Sequence, residues 1–242
     1  MIKKTDRRSV LNGVIDMELK DRIIHSAYEL FSTKGYEKTT IEAIIKQAQC
    51  AKGGFYHHFK SKEEILEVII SNYIDELSEH FENIVSNDKY SFFDKFNAIF
   101  MVISQYKLKQ LKEWSKVNNV FSFIGNDRVL RQLEKQFKIA TTRAYFEVLR
   151  NGKEQGIVNV EHPEILAELC TREVLWIFEA AGRLINPDDA KGHDTFEKLL
   201  DFSEGLISHA LGLKKHEVEF KDIALSYLQE ARGYYLASKE GL

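Results

Sequence analysis

Apolar residues recur at three- and four-residue spacing along almost the whole chain, and only two prolines stand among its 242 residues to interrupt them. A period near 3.6 collects such residues on one face of a helix, whereas a half-buried strand needs strict alternation, which no segment sustains. The pattern dictates an all-α fold. With 44% of residues hydrophobic, the chain has material for a packed core in one large domain or two smaller ones.

Several classes of protein are excluded by what the chain lacks. Its two cysteines, Cys50 and Cys170, lie far apart with no CxxC spacing, so neither a zinc ribbon nor a disulfide framework is expected, and a reducing compartment suits them. No window approaches the ~18 apolar residues of a membrane span, and the opening MIKKTDRRSVLNGVIDMELK is charged, without the apolar stretch of a leader. A cytoplasmic protein without membrane contact is expected. There is no GxSxG, no HExxH, no glycine-rich phosphate loop and no spaced carboxylate–histidine set, so neither catalysis nor a cofactor is expected. His57 and His58 are adjacent, hence about 100° apart on a helix, and no glutamate stands three residues before any histidine; metal binding is not expected.

Charge is divided unevenly. Residues 1–62 carry 12 Lys+Arg against 7 Asp+Glu, a net of +5, and the formal total of −3 leaves −8 for residues 63–242. A polyanion would approach the first quarter of the chain.

Along that quarter, residues 1–17 have Lys3, Lys4, Arg7 and Arg8 but no periodic apolar face, and are expected as an arm, either a solvated tail or a minor-groove contact. From Glu18 the stripe Ile23, Ile24, Ala27, Leu30 and Phe31 predicts a helix closed by Gly35. A second helix of about ten residues opens at Thr39 and Glu42, which have capping-box spacing. A turn through Gln49 leads to GFYHHF, where Phe55 and Phe59 share one face and are expected in the core. Ser61 and Glu64 repeat the capping-box spacing and open a periodic segment of roughly 25 residues, through Ile65, Leu66, Ile69, Tyr73, Leu77, Phe81 and Val85, about 37 Å long. The turn Ser86–Lys89 follows. Further helices are predicted at 90–116, 119–124, 126–155, 163–185, 194–212 and 216–237. Apolar residues surround most of the 163–185 helix, which must be covered on several sides; with the next helix it suits a four-helix interface with a second copy of the chain.

Three short helices with a turn before the third and a basic face around it describe a helix-turn-helix DNA reader. AYELFSTKGYEKTTIEAIIKQAQCAKGGFYHHFKSKEEIL, Ala27 to Leu66, resembles the N-terminal domain of TetR-family one-component transcriptional regulators. The likeness lies in the spacing of Phe31, Gly35, Tyr36, the threonine pair, Ala48, Lys52 with Gly53, Tyr56, His58, Phe59 and the Ser-Lys-Glu turn. The resemblance implies a three-helix DNA-binding domain at 18–62, then a helical-bundle domain for effector binding and dimerisation at 63–213, entered by a long connecting helix; 214–242 is a C-terminal helical extension. It implies a homodimer that binds a double-stranded, pseudo-palindromic operator and is released by a small apolar or aromatic effector.

Chemistry at the matching positions is consistent with DNA. Lys52 and Gly53 start the third helix, where backbone N–H groups can meet a phosphate unobstructed. Tyr56 and His57 offer donor tips and flat faces to a phosphate oxygen or a thymine methyl. Lys60 and Lys62 would clamp flanking backbone, Thr40 could donate to a phosphate, and Gly54 and His58 complete the expected contact set. Where the family usually has a turn glycine, a serine N-cap and a threonine, this chain has Gln49, Ala51 and Gly54, and a lost cap costs ~1 kcal/mol. A loose recognition helix is expected. Trp114, Phe121, Tyr145 and Trp176 are expected walls of an effector cavity; Phe178, Leu199, Leu206 and Ala210 are expected at the dimer interface. The rival reading is an all-α carrier or enzyme with a vestigial helix-turn-helix.

Overall fold

A computed structural model describes residues 6–115, 127–185, 190–213 and 217–240. Among them every regular element is helical: α1 (Asp6–Lys34), α2 (Ile41–Gln47), α3 (Lys52–His58), α4 (Lys62–Val85), α5 (Phe92–Ser115), α6 (Asp127–Glu154), α7 (Pro163–Arg183), α8 (Ala190–Ala210) and α9 (Lys221–Glu240). The expected short helix at 119–124 lies outside the described residues. The chain forms two compact units, Met1–Tyr73 with Val117–Leu133, and Ile74–Lys116 with Glu134–Leu242. α4 is one unbroken helix that belongs to both.

In the first unit α1 begins at Asp6, twelve residues before the Glu18 start expected from periodicity, so the segment expected as an irregular arm continues the helix. Extending an existing helix adds one hydrogen bond for each residue fixed, so a proline-free run needs no apolar stripe to join it. Gly35, at φ 87°, ends the helix, its N–H reaching the Phe31 carbonyl at 3.1 Å. The two threonines then divide their work differently from the capping-box reading. Thr40 is the N-cap of α2, its hydroxyl oxygen accepting from the Ala43 N–H at 3.2 Å, while Thr39 is buried and donates toward the carbonyls of Gly35 (2.8 Å) and Leu30 (3.2 Å). The end of α1 leaves carbonyls that need donors, and Thr39 meets them. Phe31, Tyr36, Ile44, Phe55, Phe59 and Ile65 fill the core.

The second unit is built on aromatic packing. Phe96 meets Tyr145 at 5.0 Å, and Phe92 stacks on Phe96 at 6.0 Å. Gly152 makes room for this: a Cβ there would lie 2.5 Å from the Phe92 ring. α8 begins at Ala190, earlier than expected. α9 begins only at Lys221, because Glu204 places one carboxylate oxygen on the backbone N–H groups of both Phe220 (2.8 Å) and Lys221 (2.6 Å) and fixes the first turn there. The helix expected as an extension packs against α5, α7 and α8, burying Ala224, Tyr227, Leu228 and Ala231.

Candidate nucleic-acid interface

The third helix shows why a seven-residue segment can act as a reading surface. Phe55 and Phe59 are buried, with ring centroids 6.4 Å apart, and anchor its inner side. Burial of two phenylalanines offsets weak local propensity: the N-cap Ala51 makes no side-chain cap bond, as its sequence implied. The opposite side carries Lys52, Gly53, Tyr56 and His57, all exposed, with Lys60 just beyond the helix. Tyr56 is 45% exposed although a tyrosine ring readily buries, and the Lys52 ammonium stands 6.0 Å from its ring centroid. Nothing lies within 4 Å of a Cβ built on Gly53, so intramolecular packing does not require glycine there, whereas one on Gly54 would touch Leu19 Cδ2 at 3.2 Å. Gly54 and His58 are half-buried, so the helix presents mainly the other residues outward. Thr40 is exposed, its oxygen engaged as the α2 cap and its hydroxyl hydrogen available to donate.

Lys62 differs from expectation. Its ammonium turns inward, 2.9 Å from the Tyr36 carbonyl oxygen and 3.4 Å from that of Thr39, and lies 4.3 Å from the Tyr36 ring centroid. Lys62, expected as a phosphate clamp, thus makes an internal tie between the start of α4 and the loop after α1. The expected Ser61–Glu64 capping box forms in a shifted version: the Ser61 oxygen accepts from the Glu64 N–H at 3.2 Å, while the Glu64 carboxylate reaches one residue further back, to the Lys60 N–H at 2.7 Å. Gln49, which stands where the family usually has a turn glycine, holds φ 50°, in the left-handed region, a conformation its residue type does not announce. Burial pushes the nearby Cys50 thiol up, against a smaller opposing effect of Arg22, so it stays protonated. Among the described residues no group of three or more His, Cys, Asp or Glu side chains could hold a metal ion, and no helix is long and apolar enough to cross a membrane.

Of the residues expected around an effector, the two that are described have different surroundings. Tyr145 is buried in the aromatic core, Trp176 is 46% exposed on α7, and Phe121 and the Trp114 side chain lie outside the described residues. A groove of about 290 Å³ between α4 and α6 is lined by Phe81, Val85, Ala140, Ala144, Arg143 and Glu147, none of them foreseen as walls. At the expected dimer surface, Leu199, Leu206 and Ala210 are half-buried. Phe178 is buried, stacked on Phe100, and belongs to the chain's own core. The exposed apolar residues of α7 and α8 are instead Ile165 (62%), Trp176 and Phe202 (65%).

A short helix with an apolar back and an outward row of cation, bare backbone, phenol and imidazole, preceded by a second short helix and a tight turn, defines a helix-turn-helix DNA reader. The family model for bacterial regulatory proteins of the tetR family matches residues 23–69. Over 93 residues the chain is 39% identical to the HTH-type negative transcriptional regulator IcaR of the biofilm operon icaADBC in Staphylococcus epidermidis, a match spanning 36% of this chain and 49% of that protein. The likeness to the TetR family thus lies in the N-terminal domain, and the chain spans about half the length of the curated relative it matches. The fold extends further than the sequence likeness. A solved TetR-family regulator from Mesorhizobium loti superposes with a TM-score of 0.57 at 17% identity, over 80% of this chain and 96% of its own. The SmeT–triclosan complex gives 0.54 at 20% identity, over 78% and 90%.

Proposed function

We propose that the protein is a homodimeric transcriptional repressor that binds a pseudo-palindromic DNA duplex through α3 and is released by a small apolar or aromatic molecule. The outward row Lys52, Gly53, Tyr56, His57 and Lys60 against the buried Phe55 and Phe59 carries this reading. A cation and bare backbone suit phosphate, which positions the helix; the phenol and imidazole suit base edges, which specify sequence. Repression is supported by the likeness to the Staphylococcus epidermidis negative regulator IcaR, and effector binding by the triclosan held in the SmeT complex. Dimerisation is supported by Trp176 and Phe202, large apolar side chains left in water on neighbouring helices. Two reading heads must sit about 34–36 Å apart to enter successive major grooves, so a small change in their spacing selects against DNA. The reading places the protein in the cytoplasm and assigns it no enzymatic activity.

Selection of bound fragments from the source organism's genomic DNA, followed by binding at graded salt, tests the proposal. A preferred fragment should bind at least ~10³-fold more tightly than random duplex. Equal affinity for both would favour the rival reading, an all-α carrier or enzyme whose helix-turn-helix is vestigial.

A further inference from the structure

Phe220 completes the core of the second unit from the far end of the chain. Phe100 stacks with both Phe178, at 5.1 Å and 22°, and Phe220, at 4.9 Å and 23°; Tyr227 meets Phe178 edge-on at 4.9 Å. The segment that delivers these rings is held at its start by polar groups. Glu204 accepts from the Phe220 and Lys221 N–H groups through one oxygen. Asn97 accepts from the Glu219 N–H at 3.2 Å and donates toward the Glu217 carbonyl at 3.4 Å, and the Lys221 ammonium meets Asp201 at 2.7 Å. α5, which carries Asn97 and Phe100, is also tied to α4. The Lys95 ammonium donates to the Val85 carbonyl at 2.7 Å, the Lys109 ammonium pairs with Glu76 at 3.2 Å, and the Tyr106 ring meets His80 edge-on at 5.7 Å. α4 starts at Lys62, four positions beyond the last residue of the recognition helix. One helix, α5, thus holds the C-terminal segment and the connecting helix at once.

We propose that residues 217–231 form a regulatory strap: seated on α5 and latched by Glu204, it holds the DNA-competent state, and its release lowers operator affinity. The proposal rests on the regulator reading above. Polar attachment and apolar seating are separable here. The latch is two hydrogen bonds at the partly exposed start of the strap, whereas Phe220 and Tyr227 lie in the core. Opening the strap uncovers one side of Phe100 and Phe178 and frees α5 from one partner while its ties to α4 remain. A planar aromatic molecule could take the place of the Phe220 ring on Phe100, and would shift the population by its differential affinity for the open strap.

The test uses the full chain and its selected genomic duplex, comparing wild type with Glu204→Ala, Glu204→Gln, Phe220→Ala and, as a buried control outside the strap and its latch, Val160→Ala. Hydrogen exchange, thermal unfolding and operator affinity are measured on each. Glu204→Ala should speed exchange over 217–231 at least ~10-fold and weaken operator binding ~10-fold, within the range of ordinary couplings between sites. Glu204→Gln, which keeps one oxygen as acceptor, should stay within about twofold of wild type. Phe220→Ala, which unseats the ring and leaves the latch, should lose the same affinity, and Val160→Ala should lose none at a comparable Tm. Faster exchange in the strap with wild-type operator affinity would overturn the proposal, as would a strap that opens only with global unfolding in both Glu204→Ala and Phe220→Ala, or an equal affinity loss in Val160→Ala. A wild-type protein that prefers no duplex would instead overturn the regulator reading itself.

Discussion

The Lys62 ammonium stands 2.9 Å from the carbonyl oxygen of Tyr36 and 4.3 Å from the centroid of the same residue's ring, joining the start of α4 to the loop that ends α1. One cation thereby donates to two carbonyls of the α1–α2 loop and covers an aromatic face. Lys60, two positions earlier, is exposed and makes no such internal bond through its ammonium among those described.

The two lysines should therefore separate by experiment. Lys62→Ala should destabilise the DNA-binding unit by about 2 kcal/mol, the scale of a charge-assisted hydrogen bond with a cation–π contact, seen as a lower thermal midpoint. Lys60→Ala should change stability by less than about 0.5 kcal/mol and flatten the slope of log Kobs against log salt by about one unit.

In the recognition turn, Gln49→Gly should stabilise the protein by about 0.5–1 kcal/mol, since glycine adopts φ 50° without the left-handed penalty, partly offset by a freer unfolded chain. Gly53→Ala should also stabilise, by up to about 1 kcal/mol, because its Cβ meets nothing within 4 Å. If phosphate approaches that backbone, Gly53→Ala should weaken operator binding as stability rises. Denaturant titration and duplex binding on the same samples measure the opposition; a variant that gains both would remove Gly53 from the interface.

Phe202→Glu should yield monomers by sedimentation at micromolar concentration, with folding intact and operator affinity lost, because the side chain is 65% exposed. Trp176→Glu should do the same. Phe178→Glu should cost more than about 4 kcal/mol, since its carboxylate would enter the stack with Phe100 and Tyr227.

At the start of α5, Asp94 accepts from the Ser91 hydroxyl at 2.7 Å and from the Ser91 N–H at 2.9 Å, and these bonds hold its carboxyl below the usual range. A depressed folded value stabilises above the ordinary aspartate range, near about 4, and that contribution disappears as pH falls through the depressed value. Ser91→Ala should raise the Asp94 titration midpoint measured by NMR. The Tm gap between wild type and Ser91→Ala should be full at about pH 6 and narrow below about pH 4.

Local rules made much of this legible. The Ser61–Glu64 box, the Gly35 stop and the inward pair Phe55 and Phe59 depend on residues within one or two turns of each other, which the sequence displays directly. The errors lie where distant groups decide. Thr39 and Thr40 are equally able caps, and the carbonyls of Leu30 and Gly35 settle which one is taken inward. The charge of Lys62 is plain in the sequence, but only the fold brings the Tyr36 and Thr39 carbonyls to its ammonium. Trp176 and Phe178 stand about 200° apart on a helix apolar nearly all round, so their assignment waits on Phe100 and on Tyr227 of α9. The start of α9 is set by Glu204, sixteen residues upstream of Phe220.

The contact between Phe100 and Phe220 also has a temporal side. Their 120-residue separation means that, during synthesis at about 5–20 residues per second, Phe100 waits roughly 6–24 s before its partner has been made. Residues 18–66, with the recognition helix and its core, are complete long before then. A nascent or prematurely terminated chain can thus carry a finished DNA-reading head beside an unclosed aromatic core, exposed to chaperones, proteases and other unfinished chains. Translation to the last helix is what retires that hazard, and quality control in the cell has its clearest mark to read in the interval.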